Sequence, residues 1–152
     1  MNIIKKFYVK QMVRKIDKTI KVRFSKCLEC EPTKNIIYVN NKTDKIDIKT
    51  FSEYVKELNS KCKFNTLLLG ILHEIGHIYT YDKQNEEDYN RDTKLLSLLF
   101  RENKLTVEQV NYFYLRLPLE SNATKWAIDF AMQNKKFCKY YQNKIGKEIP
   151  KK

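Results

Sequence analysis

A chain of 152 residues with 42% hydrophobic and 12% aromatic content is long and apolar enough to bury a core, which excludes intrinsic disorder. Thirty Lys and Arg against 18 Asp and Glu give a net charge of +12, which suits an acidic partner or loose association with nucleic acid. The lysines are spread along the whole chain, so charge alone selects no function.

The start, Ile3-Ile4-Lys5-Lys6-Phe7, interrupts its apolar residues with lysines before a signal-peptide core can form. No apolar run near the chain's central motif is long enough to cross a bilayer. The reading is therefore cytoplasmic, with no membrane partner. Four cysteines are then reduced thiols. Cys27-Leu-Glu-Cys30 has the spacing of a metal knuckle, and Cys62 and Cys138 could complete a Cys₄ site. There is no second CxxC, so ordinary thiols are the preferred reading.

Ile3, Ile4, Phe7, Tyr8, Met12, Val13 and Ile16 recur at helical spacing, with Lys5, Lys6, Lys10, Arg14 and Lys18 opposite. This predicts an amphipathic helix that packs on the domain in preference to lying on a membrane. Ile20, Val22 and Phe24 alternate with Lys21 and Arg23, a half-buried strand. Ile36–Val39 is a second, more buried strand, and the CxxC and Pro32 fall in the loop between them. Ile46 and Ile48 suggest a third short strand. Thr50-Phe-Ser-Glu53 has capping-box spacing and opens a helix with Phe51, Tyr54, Val55 and Leu58 inward.

Asn65 caps the next helix, which runs through Leu67 to Tyr79. Gly70 and Gly76 inside it each cost about 1 kcal/mol relative to Ala, so a neighbour is expected to pack closely against them. The polar segment Asp82 to Tyr89 reads as a loop leading into a helix buried through Leu95, Leu96, Leu99 and Phe100. Thr106-Val-Glu-Gln109 caps another, with Val110, Phe113 and Leu117 inward. Pro118 suits the first turn of a helix on which Glu120, Ala123, Ala127 and Ala131 form one column flanked by Trp126 and Phe130. A last, lysine-rich helix with Phe137, Tyr140, Tyr141 and Ile145 stops at Gly146, and Lys151-Lys152 is a frayed end.

Chemistry concentrates in His73-Glu74-Ile-Gly-His77, which contains both histidines of the chain. Four residues apart on a helix, the imidazoles project from one face. Glu74 points about 100° away, within reach of a water on the same ion without being a ligand. This is the HExxH arrangement of zinc peptidases, with two imidazoles on Zn2+ and Glu74 as general base. The plain alternative is a core helix whose histidines have found hydrogen-bond partners.

A catalytic zinc takes three protein ligands and keeps one position open. Without a third histidine, the last ligand is a carboxylate or thiolate. Asp82 lies five residues beyond His77 with no glycine to turn it back. Glu86, Glu87, Glu102 and Glu108 read as solvated. Glu120 is the best candidate, since the alanines below it let its helix approach closely. An N-terminal Glu also simply favours the helix dipole.

His73-Glu-Ile-Gly-His77 followed by Glu120-Ser-Asn-Ala123-Thr-Lys-Trp126-Ala127 resembles the ImmA/IrrE family of metallopeptidases, whose downstream helix reads E-x-x-A-N-x-F-A. Thr124 stands for the usual Asn and Trp126 for the usual Phe. The segment between His77 and Glu120 is longer than that family leads one to expect, by two helices. The resemblance implies that His73, His77 and Glu120 bind zinc, that Glu74 is the base, and that the partner is a separate helix-turn-helix repressor.

The resulting expectation is a single α+β domain of gluzincin type over residues 1–152, mostly helical, with a two- to three-stranded sheet packed on the HExxH helix. Its expected function is zinc-dependent hydrolysis of a peptide bond in a repressor or other regulatory protein. Tyr79, Tyr81, Tyr112, Tyr114 and Arg116 are equal candidates for stabilising the oxyanion. The competing reading is a non-catalytic regulator that binds a repressor or nucleic acid and holds a structural or vestigial zinc. An intact Glu74 argues against it, since a structural site has no use for a base.

Overall fold

The structure is a computed structural model that describes residues 1–40, 42–43, 45–146 and 149–150. The Lys151-Lys152 end lies outside them. The chain is a mostly helical α+β protein in which a small sheet and the other helices surround one central helix. In order it runs α1 (Ile3–Ile16), β1 (Lys21–Phe24), β2 (Glu29–Glu31), a 3₁₀ turn (Pro32–Lys34) and β3 (Ile36–Val39). It continues with β4 (Lys42–Thr43), α2 (Lys45–Leu58), α3 (Thr66–Thr80), α4 (Lys83–Arg101), α5 (Val107–Tyr114), α6 (Pro118–Gln133), α7 (Lys135–Ile145) and β5 (Ile149–Pro150).

The central helix is α3. Every residue from Leu67 to His77 is buried, as expected for a helix that is apolar almost all round. Asn65 caps it by accepting from the Leu68 amide. The Asn65 backbone N–H donates to Gln142 Oε1, and its side-chain amide donates to the Gly146 carbonyl. These bonds pin the start of α3 to the end of α7. The main core gathers Val9, Met12 and Val13 of α1, Ile37 and Val39 of β3, the apolar residues of α3, Ala127, Ile128 and Ala131 of α6, and Tyr141 and Ile145 of α7.

The three-stranded sheet has the order β1-β3-β2. β1 runs parallel to β3, pairing Lys21 with Ile36 and Phe24 with Val39. β2 runs antiparallel to β3, pairing Glu29 with Tyr38 and Glu31 with Ile36. The segment expected to be a loop around the CxxC is therefore partly an edge strand, and it carries Cys30. Three residues are too few to display a period.

Four other expectations change. Ile46 and Ile48 belong to α2, since Ile48 continues the helical series Phe51, Val55, Leu58 backwards. Thr50 consequently caps nothing and donates instead to the Ile46 carbonyl within the helix. The loop after α3 is confined to Tyr81 and Asp82, because α4 starts at Lys83 with the Glu86 amide on the Asp82 carbonyl. Acidic residues at a helix start suit the dipole, and their polarity imitated a loop.

The third change concerns the faces of α4 and α5. Neither helix has a fully buried side chain among the described residues, and Leu95, Phe100 and Phe113, expected inward, are exposed. The fourth concerns α1, which packs through Val9, Met12 and Val13 and leaves Ile3, Ile4 and Phe7 in solvent.

Candidate metal centre

The close approach of α3 and α6 creates the site. A Cβ placed on Gly76 would stand 2.5 Å from the Ala123 carbonyl oxygen, so only glycine lets the two backbones meet there. Ala123, Ala127 and Ala131 of α6 are all fully buried. The column of small residues thus brings Glu120, in the first turn of α6, opposite the histidine face of α3. Gly70 answers a second neighbour: its Cβ would meet the Leu28 side chain at 2.8 Å.

His73, His77 and Glu120 converge. The two Nε2 atoms lie 3.0 Å apart, and Glu120 Oε2 is 3.1 Å from His73 Nε2 and 3.4 Å from His77 Nε2. Donor atoms around a tetrahedral zinc at about 2.0–2.1 Å stand about 3.3 Å from one another. The observed triangle has that size. It is the one such group of potential ligand atoms among the described residues.

The protonation pattern inside the triangle follows from its neighbours. Thr124 Oγ1 donates to the Glu120 carbonyl at 2.9 Å, so its only proton is used. It must accept from His73 Nδ1, 3.0 Å away. A neutral His73 then presents its Nε2 lone pair to the centre. Tyr114 donates to Glu120 Oε1 at 2.8 Å, which leaves Oε2 as the carboxylate oxygen facing the histidines. Tyr89 stands 2.8 Å from the Tyr114 hydroxyl, and since that proton goes to Glu120, Tyr89 is the donor of the pair. Nδ1 of His77 is buried and has no hydrogen-bond partner, so the polar neighbours of that ring are all at Nε2.

Three electron-pair donors directed at one point repel unless a cation or a proton sits among them. The titration of these groups reflects this. Burial opposes charge on Glu120, but the contacts with His73 and His77 outweigh it and hold the carboxyl below its ordinary range. Burial would lower the pKa of His73, yet Glu120 reverses the sign and raises it. In the absence of a metal, a proton on His73 offsets part of the repulsion.

Glu74 is 7% exposed and lies with His73, His77 and Glu120 on a cavity of about 520 Å³. Burial pushes its pKa up, and the two histidines pull it back only in part. Cys30 of β2 and Leu28 just before the strand form one wall of the cavity, and α4 and α5 another through Tyr89 and Tyr114. The Cys30 thiol is driven upward chiefly by burial, with Glu74 and Glu120 adding to it. That keeps it a thiol. Cys27 is exposed and donates to Glu29, so the two CxxC sulfurs occupy different environments.

The five oxyanion candidates separate. Tyr81 and Tyr114 line the cavity. Tyr79 donates to Asp17 and stacks on Trp126, while Arg116 pairs with Glu57 and covers the Tyr112 ring. Sequence reasoning missed Tyr89, because its segment read as a loop. It noticed Thr124 only as a substitution, although the hydroxyl stands one turn beyond Glu120 on the same face. No family model, curated protein or solved structure matches the chain.

Proposed function

We propose that this protein is a zinc-dependent peptidase. The observation that carries the reading is the triangle of His73, His77 and Glu120, with donor atoms 3.0–3.4 Å apart and Glu74 beside it in the same cavity. A structural zinc site is closed by a fourth protein ligand, whereas a catalytic one keeps a position open and a base at hand. His73, His77 and Glu120 would hold the zinc, which when bound would supply polarisation of the scissile carbonyl and a more acidic water.

Glu74 accepts the proton of the attacking water and passes it to the departing amine. Its raised pKa brings it nearer the value at which a carboxylate does both at neutral pH. Thr124 sets the tautomer of His73. Tyr114 holds Glu120 with one oxygen free. Tyr81 and Tyr89 both line the cavity, but each spends its one proton, on Glu86 and on the Tyr114 hydroxyl, and would have to release that acceptor to donate to a developing oxyanion. β2 is an edge strand whose Glu29 and Cys30 line the cavity, a surface on which an extended peptide can add as a further strand. The resemblance to the ImmA/IrrE family, carried by the HEIGH segment and Glu120-Ser-Asn-Ala123, is the ground for proposing a repressor as substrate.

Elemental analysis is expected to find about one zinc per chain. His77→Ala abolishes stoichiometric binding, while Asp82→Ala leaves it intact. Glu74→Gln retains metal and fold but loses peptide hydrolysis by about 10²-fold or more, because an amide accepts no proton. Full zinc retention in His77→Ala, or undiminished hydrolysis in Glu74→Gln, would remove the assignment.

A further inference from the structure

Folding brings together two of the basic segments that the sequence keeps far apart. α1 and α7 pack side by side, with Lys144 over the Tyr8 ring at 5.4 Å and Lys15 over the Tyr141 ring at 6.0 Å. α1 carries five basic residues and α7 four, and neither contains an Asp or Glu. Lys10, Arg14, Lys15, Lys136, Lys139 and Lys144 are exposed. Two helices distant in sequence therefore make one cationic face without an internal counter-charge.

That face is not purely polar. Ile3, Ile4 and Phe7 are 86%, 67% and 58% exposed, and Tyr140 is 49% exposed. At 100° per residue, Ile3, Phe7 and Ile4 lie on the side of α1 opposite Val9, Met12 and Val13, with Lys10 and Arg14 among them. Solubility explains exposed lysines. It does not explain two isoleucines and a phenylalanine held in water between them.

We propose that the α1–α7 face docks on an anionic lipid surface, with Ile3, Ile4 and Phe7 entering the headgroup boundary and the lysines meeting lipid phosphates. A basic helix with an aliphatic and aromatic outer side is the pattern of in-plane membrane binding. Nucleic acid would use the same charges but has no place for the isoleucines. Such docking is peripheral, since no helix among the described residues is long and apolar enough to cross a membrane. No residue of α1 or α7 lines the cavity of the metal centre, so this inference stands whatever that centre does.

The test is flotation of the full chain with vesicles of phosphatidylcholine alone and of equal parts phosphatidylcholine and phosphatidylglycerol. Binding is expected only to the second, weakening as salt is raised. Ile4→Asp/Phe7→Asp and, separately, Lys10→Glu/Arg14→Glu should each weaken it by about tenfold or more. These side chains are exposed, and an unchanged helical spectrum checks that folding is intact. Equal binding to both vesicles, or binding indifferent to Phe7, overturns the proposal. So does absence of vesicle binding with tight, salt-dependent binding to a short DNA duplex.

Discussion

Thr124 and Tyr114 touch Glu120 and His73 rather than any reacting atom, and their effect is on how the ligands stand. Thr124 Oγ1 accepts from His73 Nδ1 and Tyr114 donates to Glu120 Oε1. Removing such partners of ligands typically weakens metal binding by about 10–100-fold. Thr124→Val and Tyr114→Phe are therefore expected to lower zinc affinity by that order, measured by competition with a chromophoric chelator. Tyr89→Phe, one hydrogen bond further out, is expected to lower it less.

Glu74 is in tension with the fold that holds it. Its pKa is raised above the ordinary 4.5, chiefly by burial. Below that value both folded and unfolded chains carry the proton, and ionisation contributes nothing. As pH rises through 4.5 the unfolded chain ionises first, so the folded state loses relative stability. In metal-free protein, Glu74→Gln is thus expected to raise the melting temperature at neutral pH, with the advantage shrinking as pH falls towards 4.5. Thermal unfolding at several pH values checks both the sign and the window. A carboxylate retained at a cost to stability agrees with the proposed role of general base.

Among the elements, α3 and α6 decide the site, and the two glycines of α3 separate its two contacts. At Gly76 an added methyl meets the backbone of Ala123, which cannot turn aside. Gly76→Ala should push α6 away, cost about 1–3 kcal/mol by overpacking, and weaken zinc binding through displacement of Glu120. At Gly70 the obstacle is the end of the Leu28 side chain, which can rotate. There Ala regains up to about 1 kcal/mol of helix propensity, so Gly70→Ala should be near neutral. Chemical denaturation of the two variants, with zinc titration of each, tests the contrast.

Across the whole molecule, burial is distributed unevenly. α3 is buried along eleven consecutive residues, whereas α4 and α5 bury no described side chain completely. Few buried apolar contacts mean a low free energy of local opening. Backbone amides of α4 and α5 are expected to exchange with deuterium well before those of α3 and α6. Zinc should add protection to α3 and α6, which supply the proposed ligands. Since Tyr89 and Tyr114 sit on these two helices, the wall they form is expected to be the part of the cavity that opens most readily.

The sequence by itself determined the elements whose signal is local. The HEIGH helix, its Asn65 cap, the Thr106 capping box, Pro118 at a helix start and Gly146 at a helix end are each set by neighbours within one or two turns. It also placed Glu120 at the head of a small-residue column, because helical spacing alone puts those four side chains in line. Tertiary structure decided what depends on contacts between segments distant in the chain. Only packing shows that Gly76 faces Ala123, that Tyr89 and Tyr114 reach Glu120, and that the apolar residues of α1 divide between a buried and an exposed side. A helical period marks which residues share a face, but not which face finds a partner. Charge behaves likewise: the basic residues of α1 and of α7, distant in sequence, make one cationic surface only when the two helices pack together.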